Sequence, residues 1–245
     1  MIKKFLAFTL SEILIALSVI GVVAVLVIPQ LIAGQRASQA KAQFSSAYSL
    51  MSKAIADMDA DDVAVNANAY ATNTFFEKFK PYNRFTVDCG ALSTSSNTSV
   101  CPKRSSDTIY KLLGSNKLFP GTLMDDGGLV LNNGMLVAIE NHRENATFGP
   151  NHNIWILVDI NGMGKNPNIL GYDLFIFQLT DNGELLPLGA PGTDTLLSET
   201  KDPKNCCCIE RINPGCSADG TYNGYTCAYF ATTDEDYFKK LYKGY

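Results

Sequence analysis

Three groups of residues in this chain carry chemistry. The first is a lone carboxylate, Glu12, inside a run of mostly apolar residues from Phe8 to Ile28. A carboxylate facing lipid costs roughly 2.5–3.5 kcal/mol at mid-bilayer, so this one demands a partner. The second is Asp159-Ile-Asn161-Gly162, continued by Asn166, Asn168 and Asp173, a set of hard oxygen donors that follows an apolar run. Such donors suit Ca2+, although the spacing lacks the extra ligand before the glycine and the closing Glu of an EF-hand. Two readings satisfy this pattern: calcium held by Asp159, Asn161 and Asp173, or an Asx/Gly turn joining two strands.

The third group is seven cysteines. Cys89 and Cys101 flank a loop rich in Ser, Thr and Asn. The simplest reading is a local disulfide, worth roughly 3 kcal/mol in the chain-entropy model; the alternative is two buried thiols. Cys206, Cys207, Cys208, Cys216 and Cys227 lie among Gly, Pro and Asn, and their pairing is open. They suit a disulfide staple for a segment poor in apolar residues. Zinc is the sharper alternative, but paired C-x2-C spacing is missing and His142 and His152 are the only histidines. An odd count leaves at least one cysteine outside intrachain pairs.

Catalytic motifs are missing. The chain has no Gly-x-Ser-x-Gly elbow, His-Glu-x-x-His, phosphate-binding loop or dinucleotide fingerprint, and no enzymatic activity is expected. Asp125-Asp126-Gly127-Gly128 reads as a turn before a strand. The formal net charge is −4 with no Lys/Arg cluster, which disfavours nucleic-acid binding through a basic patch.

The elements that must position these groups begin with a membrane helix. Phe8 to Ile28 spans roughly 31 Å as an α-helix, close to the ~30 Å of a bilayer's hydrocarbon core. Lys3 and Lys4 place its N-terminal side in the cytoplasm. Pro29 predicts a kink or local melting. Beyond it, Ala37, Ala40, Phe44, Tyr48, Met51, Ile55 and Met58 form one apolar stripe, and Asp57, Asp59, Asp61 and Asp62 oppose the helix dipole at its end. A short helix is expected at Thr74–Lys80, with Phe75, Phe76 and Phe79 inward. Strands follow at Leu129–Leu131, Met135–Glu140, Ile154–Asp159, Leu174–Thr180 and Glu184–Leu188. Asn133-Gly134 and Asp181-Asn182-Gly183 supply hairpin turns. The meander should bury some alternating selection of Leu136, Val137, Ile139, Trp155, Leu157, Phe175 and Phe177 against the helix stripe. Asp234–Lys243 reads as a closing helix.

A basic leader, the small Ala7, then Phe8-Thr-Leu-Ser-Glu12, an apolar run and Pro29 resembles the class III signal of type IV prepilins and type II secretion pseudopilins, with Ala7 where that family has Gly. The resemblance implies cleavage between Ala7 and Phe8 by a prepilin peptidase, methylation of the new amine, and pairing of Glu12 with the N-terminal amine of a neighbouring subunit. Implied partners are other pilins or pseudopilins, the peptidase, the membrane, and an inner-membrane assembly platform with its ATPase. The implied location is the bacterial inner membrane, single-pass, with the headpiece periplasmic or extracellular. Some pseudopilins carry calcium in a headpiece loop.

The expected fold is α+β and pilin-like: a long N-terminal helix packed on an antiparallel β-meander, with disulfide-stapled loops and a C-terminal tail. Its divisions are a leader at 1–7, a transmembrane helix at 8–28, an amphipathic helix at 29–62, a headpiece at 63–188 and a cysteine-rich region at 189–245. The cysteine-rich headpiece suggests a minor subunit. Two other readings compete: a cleaved secretory signal, or an anchored, non-polymerising binding domain or enzyme in which Glu12 complements the helix N-terminus.

Overall fold

One helix, α1, runs unbroken from Leu10 to Ala60 in the computed structural model, which describes residues 9–94, 99–102, 109–141, 154–193, 203–218 and 220–243. Ala7 and Phe8, the expected processing site, lie outside the described residues, as do His142 and His152. At 1.5 Å per residue α1 is about 77 Å long. Its two parts differ in what they touch. From Leu10 to Pro29 no side chain is buried, whereas Ala37, Ala40, Phe44, Ala47, Met51, Ala54, Ile55 and Met58 are buried. Pro29 sits inside the helix and does not divide it, so the expected local melting is absent.

The helix ends as its aspartates predict. Asp61 is the C-cap and Asp62 adopts φ 57°. A short helix, α2, at Phe75–Phe79 buries Phe75, Phe76 and Phe79. Its first amides, those of Thr74 and Phe75, donate to the Asn141 side-chain oxygen, both at 3.1 Å.

The sheet has six strands in a simple antiparallel meander: β1 Phe85–Gly90, β2 Gly127–Leu131, β3 Leu136–Glu140, β4 Ile154–Asp159, β5 Leu174–Leu179 and β6 Leu185–Pro187. Of these, β1 was not expected from the sequence. It is an edge strand with bulged pairing and only Cys89 buried, so it lacks the continuous apolar run that marks β3, β4 and β5. The start of β2 also departs from expectation, because Gly127 and Gly128 belong to the strand rather than a turn. A Cβ on Gly127 would stand 2.1 Å from the Phe76 ring. The missing side chain is what lets α2 seat on the sheet.

Every residue of β3, β4 and β5 is buried, and alternate side chains enter two separate cores. Val137, Ile139, Ile156, Val158, Phe175 and Phe177 join the core that contains α1. Leu136, Ala138, Trp155, Leu157, Leu174 and Ile176 join a second core with Tyr110, Phe119, Leu123 and Tyr225. The expected alternating selection is therefore Val137, Ile139, Phe175 and Phe177 on the helix side, with Leu136, Trp155 and Leu157 on the opposite face, since a period of two sends neighbours to opposite faces.

The C-terminal region belongs to these cores and is not a tail. Helices α3 (Cys227–Thr233) and α4 (Tyr237–Tyr242) bury Cys227, Ala228, Tyr237, Phe238 and Leu241 in the α1 core. Cys89–Cys101 is bonded, as the bracketed loop suggests, and Cys207–Cys227 and Cys208–Cys216 complete three disulfides. The seventh cysteine, Cys206, is a buried thiol in the second core.

Phe44 is the central contact of the α1 core, with ring centroids 4.7 Å from Phe175, 5.9 Å from Phe177 and 5.8 Å from Phe238. Phe44→Ala should destabilise the fold by about 3–5 kcal/mol through lost burial and the cavity it leaves. Leu50→Ala, on the exposed side of α1, should change stability by about 0.5 kcal/mol or less. Urea unfolding of the full chain in detergent measures both, and equal midpoints for the two variants would contradict this packing.

Candidate functional site

The apolar part of α1 is long and apolar enough to cross a membrane. Its polar groups are satisfied within the helix. The Ser18 hydroxyl donates to the Leu14 carbonyl at 2.8 Å. Thr9 is the N-cap and forms a reciprocal capping box with Glu12. The Thr9 amide and hydroxyl donate to Glu12 Oε2 at 2.8 and 2.7 Å, and the Glu12 amide donates back to Thr9 Oγ1 at 3.3 Å. The Thr9-x-x-Glu12 spacing carries this signal in the sequence. The carboxylate that demanded a partner thus has one within its own chain.

The second group lies at the end of the sheet nearer the apolar segment. Asp159 closes β4, Asp173 immediately precedes β5, and both are fully buried. Asp159 Oδ1 accepts from the amides of Asn161 and Gly162 at 3.1 and 2.8 Å, while Oδ2 accepts from the Tyr110 hydroxyl at 2.6 Å. Asp173 accepts from the amides of Asn168 and Ile169, both at 2.6 Å. Gly162 makes the turn possible: its φ is 84°, and a Cβ there would meet the Gly134 carbonyl oxygen at 2.3 Å.

These bonds are those of Asx-type turns, yet the loop also offers oxygen to a hard cation. The side-chain oxygens of Asn161 and Asn168 are enclosed and accept no hydrogen bond. Together with carboxylates, such amide oxygens are the kind of ligand that calcium takes. The spacing in the sequence singles out Asp159, Asn161 and Asp173. It includes Asn168 among the oxygen donors without naming it a ligand, and gives no sign of Tyr110, which comes from a distant loop.

A third group was not legible as a site. Asp125, Asp126 and Glu140 are buried, with one ligand oxygen from each within 4.8 Å of the others. They are the only such trio among the described residues. Asp126 also accepts from the Asn141 amide, tying the start of β2 to the end of β3. The sequence showed Asp125 and Asp126 as turn residues because Glu140 joins them only through strand pairing.

Compared with known proteins, the chain matches no family model, no curated protein and no solved structure.

Burial, with lesser opposition from the surrounding donors, raises the Asp159 carboxyl to about 6. Burial and then the charge of Asp159 raise Asp173 to about 7. Both ordinary values are 3.8. Between these limits the folded state binds more protons than the unfolded one, so stability falls as pH rises and levels off above about 7. Metal-free protein should therefore melt at lower temperature at about pH 8 than at about pH 5, and Asp173→Asn should flatten the slope. Calcium held by the loop would reverse this trend, because a cation favours both ionised forms and stabilises the folded state by mass action. Added calcium should then raise the melting temperature mainly at the higher pH, and Asp159→Ala should abolish the gain. Melting unchanged by calcium or chelator would leave the loop as a structural turn.

Proposed function

We propose that this chain is a minor pilin or pseudopilin subunit, whose work is assembly into a type IV pilus or type II secretion-like filament. The observation that carries the reading is the division of α1. One uninterrupted helix presents an apolar end with nothing packed against it among the described residues and a second part built into an α+β headpiece. Such an end has two uses, in lipid before assembly and against other helices after it. Ala16, Gly21 and Ala24 are small enough for close helix approach, and nothing stands within 4 Å of where a Cβ on Gly21 would lie. On this reading a prepilin peptidase cuts before Phe8, an ATPase-driven platform lifts the subunit from the inner membrane, and Glu12 meets a neighbour's amine to set register.

One observation favours a rival, an anchored domain that never polymerises. The capping box already answers the charge of Glu12 within a lone chain, so no neighbour is needed to explain the residue. The two readings differ in what Thr9 and Glu12 do. If Glu12 serves assembly, Glu12→Ala leaves membrane insertion intact and sharply reduces incorporation into sheared filaments, while Thr9→Ala assembles normally. If Glu12 is only a cap, both variants cost about 1 kcal/mol of helix stability and neither changes assembly. Mass spectrometry of the mature N-terminus supplies the companion test. The expected first residue is Phe8, and an intact Met1 or a cut after Ile28 would overturn the proposal.

A further inference from the structure

Where α1 leaves its apolar segment, a cationic groove opens between α1 and α4. Pro29, Ala33 and Ala37 of α1, Lys239 of α4 and its C-cap Lys243 line a space of about 610 Å3. A second hollow of about 230 Å3 adjoins it, between Ile28, Ile32, Arg36 and Tyr242. Pro29 and Ala33 belong to both. The groove is therefore continuous with the apolar segment at one end and cationic at the other.

The cations there are not equivalent. Lys239 and Lys240 lie 2.8 and 2.6 Å from Asp236 and Asp234, and the Lys41 ammonium donates to the Glu235 carbonyl. Arg36 and Lys243 enter no ion pair among the described residues. Their position along α1 says what they meet. The Cα of Arg36 stands about 12 Å beyond that of Ile28, and the headgroup layer occupies roughly 5–8 Å outside the hydrocarbon. Helical side chains lean toward the N-terminus, here toward the membrane, which brings the guanidinium down beside Ile28 and Ile32. Those two residues are themselves exposed, as acyl-chain contacts would be.

We propose that this groove binds an anionic phospholipid of the leaflet on the headpiece side. Arg36 and Lys243 take the headgroup phosphate through charge-assisted hydrogen bonds, Ile28 and Ile32 take the upper acyl chain, and Tyr242 sits at the boundary, where amphipathic rings collect. The proposal rests on α1 spanning a membrane and not on filament assembly. A soluble acidic partner would match the cations but not the apolar floor that runs into the span. The bound lipid would fix the height of the headpiece above the bilayer and hold α4 against α1.

The test uses the full chain in nanodiscs of phosphatidylcholine alone and of equal parts phosphatidylcholine and phosphatidylglycerol, with hydrogen exchange read across Tyr237–Lys243. The phosphatidylglycerol discs should slow exchange roughly fivefold or more, since each cation near an anionic surface adds about that factor to binding. The double variant Arg36→Gln/Lys243→Gln should exchange equally fast in both discs. Lys78→Gln, on α2 at the far end of α1, should behave as the parent chain. Equal protection in the two lipids, or protection that survives the double variant, overturns the proposal. Protection produced as well by inorganic phosphate in phosphatidylcholine discs would overturn the lipid assignment. Co-flotation of chain and discs is measured alongside: a chain that fails to insert removes the span and the groove together, whereas one that inserts without lipid preference removes the groove alone.

Discussion

A sheet that is apolar on both faces governs how this molecule is built. With β3, β4 and β5 buried throughout, the meander needs a cover on each side, and a single helix supplies only one. The α1 stripe, reinforced by α4, covers the first face. The second is covered by segments with little regular structure, among them the loop carrying Tyr110 and Phe119 and the turn carrying Tyr225. A cover made of loops has many backbone groups to satisfy and few local bonds to do it. Asn223 shows how this is met: its side chain donates to the carbonyls of Leu113 and Cys208 and accepts from the Cys208 amide. The disulfides serve the same end by limiting the unfolded alternatives of those loops. The neighbouring Cys206 and Cys207 enter the second and the first core respectively, so one turn of chain joins both layers.

Buried carboxyl groups mark the two ends of β3. Leu136, at its start, pairs with Asp159, and Glu140, at its end, pairs with Trp155. The Asp159 and Asp173 loop thus occupies the end nearer the apolar segment, and the Asp125, Asp126 and Glu140 trio the other. Burying an acid is costly unless its oxygens are satisfied, and the answer at Asp159 and Asp173 is a ring of backbone amides plus the Tyr110 hydroxyl. That hydroxyl couples the loop to the second cover. Any change in the ionisation of Asp159 is therefore felt by the layer over the opposite face from α1.

Much of this architecture is written in the periodicity of the chain. The stripe from Ala37 to Met58 repeats at the helical period, and the strands from Leu129 to Leu188 are short apolar runs bounded by turns with Asn-Gly chemistry. What escaped depends on partners far away in sequence. β1 is a strand by virtue of pairing with β2, not of its own pattern. Gly127 and Gly128 look like a turn until Phe76 and Leu92 are seen filling the space above them. The choice between the two faces of β4 was unreadable, since both were apolar. At the site, Asp159 and Asp173 could be named from their spacing, but Tyr110 could not, because only the tertiary fold brings it within reach.

The continuity of α1 through Pro29 joins the two ends of the molecule mechanically. Proline removes one backbone donor and leaves the carbonyl four residues earlier, that of Val25, without its helical bond. Were α1 to cross a membrane, such a carbonyl would be tolerable about one turn inside the span, where water and headgroups are close, and expensive at mid-bilayer. The helix nevertheless continues through Pro29 from its apolar end into the headpiece. At that apolar end Glu12 is held by a cap worth about 1 kcal/mol. An unpaired charge in a low-dielectric surrounding carries a penalty of about 3–5 kcal/mol. On the proposed reading, a neighbour's charged amine arriving beside Glu12 would compete with the Thr9 hydrogen bonds for the carboxylate. The capping box is then a holding state: strong enough to keep the carboxylate satisfied in a lone subunit, and weak enough to release it when a second chain comes within reach.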